Sequence, residues 1–166
     1  MAESDLLTGF YFSVRLPGES RGTDAAFQEV SGLSQETTLE EVVSGGENRF
    51  KYRLPGPTHY ANLVLKRGIL MTTSPLIEWF RDTMDGGLNK PVQTKDIMVN
   101  LLGSKGQSRM GWTFVKAFPV KWSLSELKSQ ESNVLIETME LAYQYFQADD
   151  PRVDFDPTIA NLFGGY

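Results

Sequence analysis

A chain of 166 residues, 40% hydrophobic and 22% charged, has the composition of one globular domain, and its length suits a single core rather than two. Its 16 Lys and Arg against 21 Asp and Glu leave a formal net charge of -5, which argues against gripping nucleic acid by phosphate neutralisation, because that needs clustered cations facing the polyanion. The absence of cysteine rules out disulfide stapling, thiolate metal ligation and cysteine nucleophilic catalysis.

The N-terminus, Met1 to Asp5, is acidic and precedes no apolar run of signal length, and no later stretch approaches the ~18 apolar residues of a membrane span. The expectation is a protein made in the cytoplasm, with no membrane span. Phe10, Phe12, Val14 and Leu16 alternate with Tyr11, Ser13 and Arg15, which predicts a strand with one buried face, ended by turn residues from Pro17 to Gly22. Phe27 to Val30 reads as a short strand, with a bulge or bend at Ser31-Gly32.

From Gln35 to Ser44 the chain is rich in β-branched residues, yet neither face is cleanly apolar. Such a strand fits best where its second face meets a water-filled channel or another subunit. Gly45 to Tyr60 is dense in glycine, proline and basic residues, more punctuation than a single hairpin needs.

Ser74 to Gly86 predicts a helix: Ser74 caps, Pro75 suits the first helical position, Leu76, Trp79, Phe80 and Thr83 form one stripe, and Gly86-Gly87 closes it. Asp96 to Leu102 and Arg109 to Ser123 flank the Gly-rich connection Gly103 to Gln107 and read as a hairpin, with Pro119 marking an edge, a kink or a bulge. Asn133 to Gln147 satisfies a helical stripe and a strand face equally well, so periodicity leaves it open. The tail from Ala148 reads as extended, docked or disordered.

Catalysis requires a nucleophile, a base or a metal in defined geometry, and little here supplies one. The single histidine, His59, lies in a Pro- and Gly-rich stretch with no second ligand and no nucleophile elbow, so it reads as a surface or packed loop residue. Gly45 and Gly46 lack the spacing of a phosphate loop. Asp149, Asp150, Asp154 and Asp156 lack the Gly and the terminal Glu of a calcium loop and read as a solvated acidic tail. Glu40 and Glu41, adjacent on a strand, point to opposite faces and cannot share a substrate. Lys51, Arg53, Lys66 and Arg67, interleaved with Phe50, Tyr52 and Tyr60, read as inter-subunit salt bridges and snorkelling stems rather than as a single-strand nucleic-acid surface. The residues therefore point to no enzyme, cofactor or metal.

The string Phe27-Gln28-Glu29-Val30-Ser31-Gly32-Leu33, followed by Gly45-Gly46-Glu47-Asn48, Leu54-Pro55-Gly56 and Leu63-Val64-Leu65-Lys66-Arg67-Gly68, resembles the tail-tube family of contractile phages and phage-derived injection systems. Ile136 to Ala142 is similar to the family's closing strand. The resemblance implies a mainly β fold, an Hcp-like tail-tube β-barrel with one α-helix at about 75–86 and extended loops, over a domain 1–147 with a C-terminal extension at 148–166. It makes 133–147 mostly strand, Gly45 to Tyr60 an arm that reaches a neighbour, and Ala61 to Gly68 the strand that anchors it. It also implies homo-hexameric rings stacked into a hollow tube, with sheath, baseplate or hub proteins as partners, and payload, tape-measure protein or DNA in the lumen of a phage tail or injection particle. The candidate ring-stacking or inter-subunit residues are Gly45, Gly46, Glu47, Asn48, Arg49, Arg53, Pro55, Gly56, Lys66 and Arg67. Two other roles remain open: a baseplate-proximal initiator of the same family, and a small-ligand-binding barrel.

Overall fold

The computed structural model describes residues 10–18, 23–69, 74–125 and 134–149. In order these form β1 (Tyr11–Arg15), β2 (Thr23–Phe27), β3 (Glu29–Ser31), β4 (Gln35–Val42), β5 (Tyr52–Tyr60), β6 (Leu63–Gly68), α1 (Pro75–Asp85), β7 (Lys95–Leu102), β8 (Ser108–Leu124), β9 (Ile136–Ala142) and β10 (Tyr145–Asp149). The acidic tail beyond Asp149, most of the proposed C-terminal extension, lies outside the described residues.

All pairings are antiparallel, in the order β2-β1-β7-β8-β9-β6-β3. β2 and β3 are separated by Gln28 alone, whose N–H donates to the Lys66 carbonyl at 2.9 Å. Residues 23–31 are thus one strand that borrows β1 as partner through its first half and β6 through its second. By touching both edges it closes the sheet into a barrel, which leaves no long free edge at that point. The reading of Phe27 to Val30 as one short strand is corrected: the strand begins at Thr23, and its interruption falls at Gln28.

Period-two apolar residues turn inward and explain the core. Val14, Phe27, Leu63, Leu65, Ile97, Val99, Phe114, Met139 and Leu141 are fully or almost fully buried. Each contributes roughly 1.5–3 kcal/mol by leaving water, Phe27 and Phe114 the most. These side chains fill the barrel, which leaves it packed rather than hollow.

β8 is long enough to serve two partners because it bends in the middle. Lys116 takes φ 50°, and opposite it the β7 register slips between Lys95 and Ile97. The Asp96 carboxylate accepts the Lys116 N–H at 2.9 Å and so satisfies the donor that the slip would orphan. Pro119 begins a second register shift, against β9. β10 runs along the first half of β8 and β9 along the second. The segment left open between helix and strand is therefore strand, broken at Tyr143-Gln144 beside the bend in β8.

α1 forms as its sequence dictates. The Ser74 hydroxyl accepts the Ile77 N–H at 3.3 Å, Pro75 occupies the first turn, and Leu76, Trp79 and Phe80 are buried against the barrel. Trp79 Nε1 donates to the Gln93 carbonyl at 3.0 Å, so the indole is buried without orphaning its donor. The chain then turns at Gly87, where φ 53° favours glycine.

One unit stands apart. Among the described residues β4 and β5 pair only with each other, and every residue of β4 is exposed. The punctuated stretch at 45–60 is corrected from loop to one arm of a single hairpin: Tyr52–Tyr60 is a strand, Pro55 and Pro57 included. That is possible because the hairpin is two-stranded and its register slips between Thr37 and Leu39, next to the prolines that cannot donate. Both faces of β4 are exposed in the single chain.

Candidate assembly surface

The hairpin is held at its root by aromatic packing. Tyr60 sits edge-on to Tyr143 and Phe146 at 5.9 and 5.7 Å, and both of those rings contact buried Phe114. The Tyr143 hydroxyl donates to the Ala61 carbonyl at 2.7 Å, and Asn62 Nδ2 donates to Glu140 at 2.8 Å. Partial burial, with Tyr60 close by, pushes the Tyr143 phenol above its ordinary value. On the other chain of the root, Gly32 has φ +85°, and a Cβ there would sit 1.9 Å from the Asn62 carbonyl oxygen. Only glycine lets the two strands leave the barrel side by side.

Away from the root the hairpin is apolar on a surface that meets only solvent. Cross-strand register pairs Val42 with Tyr52 and Glu40 with Leu54, which puts these four on one face. Phe50 packs edge-on against Tyr52 at 5.2 Å. Val42, Phe50, Tyr52 and Leu54 are each about half exposed, at 44, 52, 49 and 50%. The opposite face carries Glu41 paired with Arg53 in register, and Lys51 Nζ lies 3.1 Å from the Glu41 carboxylate. Glu40 and Glu41 do point to opposite faces.

At the tip, Glu47 accepts the Arg49 backbone N–H at 3.0 Å and the guanidinium at 3.0 and 2.9 Å. The Arg49 side chain first, and its N–H second, hold the Glu47 carboxyl below its ordinary value. Gly45 has open space where a Cβ would be, and so does Gly46, which takes φ +93°. Gly56 packs against Thr38 in the slipped segment, and Pro55 lies opposite Leu39. His59 is exposed on β5 opposite Glu36, on a strand rather than in a loop.

The candidates thus divide. Gly45, Gly46, Glu47, Asn48, Arg49, Arg53, Pro55 and Gly56 gather on the hairpin, while Lys66 and Arg67 belong to the barrel wall. Lys66 Nζ lies 2.7 Å from Glu29 of the same chain. Arg67 corrects the expectation of a contact to a neighbour: it is 1% exposed, with Nε 2.9 Å from Glu137 Oε2 and its guanidinium 4.8 Å over the Phe27 ring. The alternation Phe50, Tyr52, Leu54 against Lys51, Arg53 was the available signal for a strand with one apolar face, and the glycines and prolines around it obscured that signal.

Ile77, Phe80, Met84, Trp122 and Met139 line a cleft of about 180 Å³ between α1 and the end of β8. Arg81 and Asp85 are the charged residues in its wall. Periodicity could not have revealed it, because it joins two segments far apart in sequence.

Residues 8–147 match the family described as T4-like virus tail tube protein gp19. The chain belongs to this tail tube family. Its fold agrees with solved members of contractile machines. A chain in the structure of the anti-feeding prophage baseplate, 6-fold symmetrised, is 27% identical, with TM-score 0.75 and coverage of 92% of this chain and 100% of that one. A chain of the extracellular contractile injection system PVC sheath-tube complex in its extended state is 20% identical, with TM-score 0.72 over 89 and 93% of the two chains. Hcp1 from Salmonella typhimurium shares the fold at 13% identity, TM-score 0.50, over 85 and 86%. No curated protein matches the sequence. The tail tube fold is therefore Hcp-like and mainly β with one helix, as the sequence string implied.

Proposed function

We propose that this tail tube protein is a repeating inner-tube subunit, assembling as hexameric rings that stack into a conduit inside a contractile sheath. The carrying observation is the β4–β5 hairpin, a two-stranded unit outside the barrel whose apolar residues Val42, Phe50, Tyr52 and Leu54 are half exposed. An isolated hairpin with an apolar face is marginal in water and gains stability from a third layer. A neighbouring copy supplies that layer. Membership of a structural tube family, with no enzyme chemistry suggested by the sequence, supports a mechanical role.

Gly45, Gly46, Glu47, Asn48 and Arg49 then reach the next ring, Arg53, Pro55 and Gly56 shape the strand behind them, and Lys66 braces the barrel wall. Sheath surrounds the tube, baseplate or hub proteins hold one end, and payload, tape-measure protein or DNA occupies the lumen. The particle is a phage tail or injection system, assembled from subunits made in the cytoplasm. A second reading, a baseplate-proximal tube protein, draws on one observation: the 27% identical structure is a baseplate, whereas the sheath-tube relative is 20% identical.

Electron microscopy of the purified chain, alone and with its sheath, tests both. Six-fold rings or tubes are expected, and deletion of Gly45 to Asn48 should abolish stacking while leaving the thermal melt of the barrel intact. Decoration by sheath along the whole length supports the repeating subunit, and location at one end only supports the baseplate-proximal one. A chain that stays monomeric over a wide concentration range with sheath present overturns the proposal.

A further inference from the structure

The hairpin continues a ladder of the barrel. β3 pairs with β6 so that Val30 faces Leu65, and β4 pairs with β5 so that Gln35 faces Tyr60, which is one register carried through both ladders. β4 therefore lies on the β3 side of β5. The other edge of β5 continues the edge of β6 that β9 occupies, and among the described residues nothing pairs with it. Unpaired backbone groups in such a row are a template for strand addition.

One segment of the same chain is placed to reach that edge. β9 runs antiparallel to β6, with Leu141 opposite Leu63, and the chain then passes the hairpin root, where the Tyr143 hydroxyl donates to the Ala61 carbonyl and the Phe146 ring meets Tyr60. β10 thus leaves the root in the chain direction opposite to that in which β5 enters it, and ends at Asp149. Beyond it, outside the described residues, the sequence runs through Val153-Asp154-Phe155-Asp156. Tyr52 is eight residues from Tyr60 and Phe155 nine from Phe146, so extended chain brings both to roughly 26–30 Å from the root.

We infer that residues 153–156 of the same chain add to β5 as an antiparallel third strand, with Phe155 opposite Tyr52 and Asp154 opposite Arg53. Two alternations match. Tyr52 and Leu54 stand on the apolar face, where Phe155 and Val153 join them, and Arg53 and Lys51 stand on the other, where Asp154 and Asp156 join them. Among the described residues Arg53 has no ion pair, whereas Lys51 is held by Glu41. A register shifted by one residue would set both carboxylates beside Tyr52 and Leu54, so the pattern selects the face. Pairing stops short of Pro55 and Pro57, which cannot donate. Four residues make few bonds, so the added strand exchanges on and off, and β4 stays the lasting partner of β5. Its role rests on the tube reading: an occupied edge cannot pair with another chain, so the segment guards the unassembled subunit.

Absence of cysteine makes the test direct. The full chain carrying Arg53→Cys and Asp154→Cys is oxidised at high dilution and run on a non-reducing gel. Directly opposed strand residues lie within disulfide reach, whereas Glu41, which faces Arg53 from β4, is one strand further away. An internal disulfide, seen as a faster monomer band, is expected at least about tenfold above that from Glu41→Cys with Asp154→Cys. Adding Phe155→Asp to the first pair should remove the preference. Phe155→Asp alone should lower by about tenfold the concentration at which the chain without sheath associates in sedimentation. Thermal melts confirm that each variant is folded. Equal monomer bands from the two pairs, or disulfides only between copies, overturn the inference. An unchanged association threshold in Phe155→Asp overturns the guarding role. Failure of the unaltered chain to form tubes with its sheath fails the tube reading and leaves the disulfide result standing.

Discussion

Glu137 ties two parts of the barrel together through Arg67: one carboxylate oxygen lies 2.9 Å from Arg67 Nε, and the other accepts the Trp122 indole N–H at 2.8 Å. Both charged side chains are almost fully buried, and they face each other in register across β6 and β9. Their geometry offsets a large desolvation cost, so the pair is robust only while both members are present.

Removing one member should therefore be worse than removing both. Glu137→Leu leaves a buried guanidinium and is expected to cost about 3–5 kcal/mol, whereas Arg67→Met with Glu137→Leu should recover most of that loss. Urea midpoints of the three proteins measure it. A double variant as unstable as Glu137→Leu alone would mean that the pair stabilises the barrel outright.

Gly32 supplies a second contrast. An alanine Cβ there must displace the Asn62 backbone and adopt a left-handed φ, a strain of order 1–3 kcal/mol before any clash is counted. Gly45→Ala, which meets nothing within 4 Å, should stay within about 0.5 kcal/mol of the parent. Equal melting temperatures for the two variants would show that the hairpin root yields freely.

Tyr143 gives the fold an alkaline limit. Its phenol is held above the ordinary value, so the folded state retains the proton more tightly than the unfolded chain. That contribution is complete below the unfolded tyrosine value of about 10 and is lost as pH rises through the higher folded one. Tyr143→Phe also loses the hydrogen bond to Ala61, about 1 kcal/mol. The stability gap between parent and variant should thus narrow above about pH 10, as read from denaturant unfolding at stepped pH. A constant gap would place the effect in packing alone.

Much of this architecture was legible in the chain, for identifiable reasons. Local rules fixed α1, where Ser74, Pro75 and the Leu76, Trp79, Phe80 stripe act within a few residues of one another. Period-two patterns located β1, β7 and β8. What escaped depends on distant partners. Tyr52–Tyr60 is a strand because β4 lies beside it, in spite of two prolines. Arg67 is internal because Glu137, 70 residues away, neutralises it. The segment from Ile136 is strand because β8 bends at Lys116 and offers a fresh edge. The cleft at Trp122 exists only once α1 has docked.

The hairpin's separation from the barrel has a consequence for timing. Its backbone bonds are shielded by a single neighbouring strand and by the aromatic root, so in a free subunit they are expected to open more often than those of β6 or β9, with their amides exchanging with solvent first. If the hairpin carries the contact between rings, as proposed, ordering it is a cost met at each addition to a growing end. Free subunits in solution meet it without a template, whereas an existing end offers a surface already shaped for the hairpin. On that proposal elongation is favoured over spontaneous nucleation, and subunits accumulate without polymerising until an end is provided.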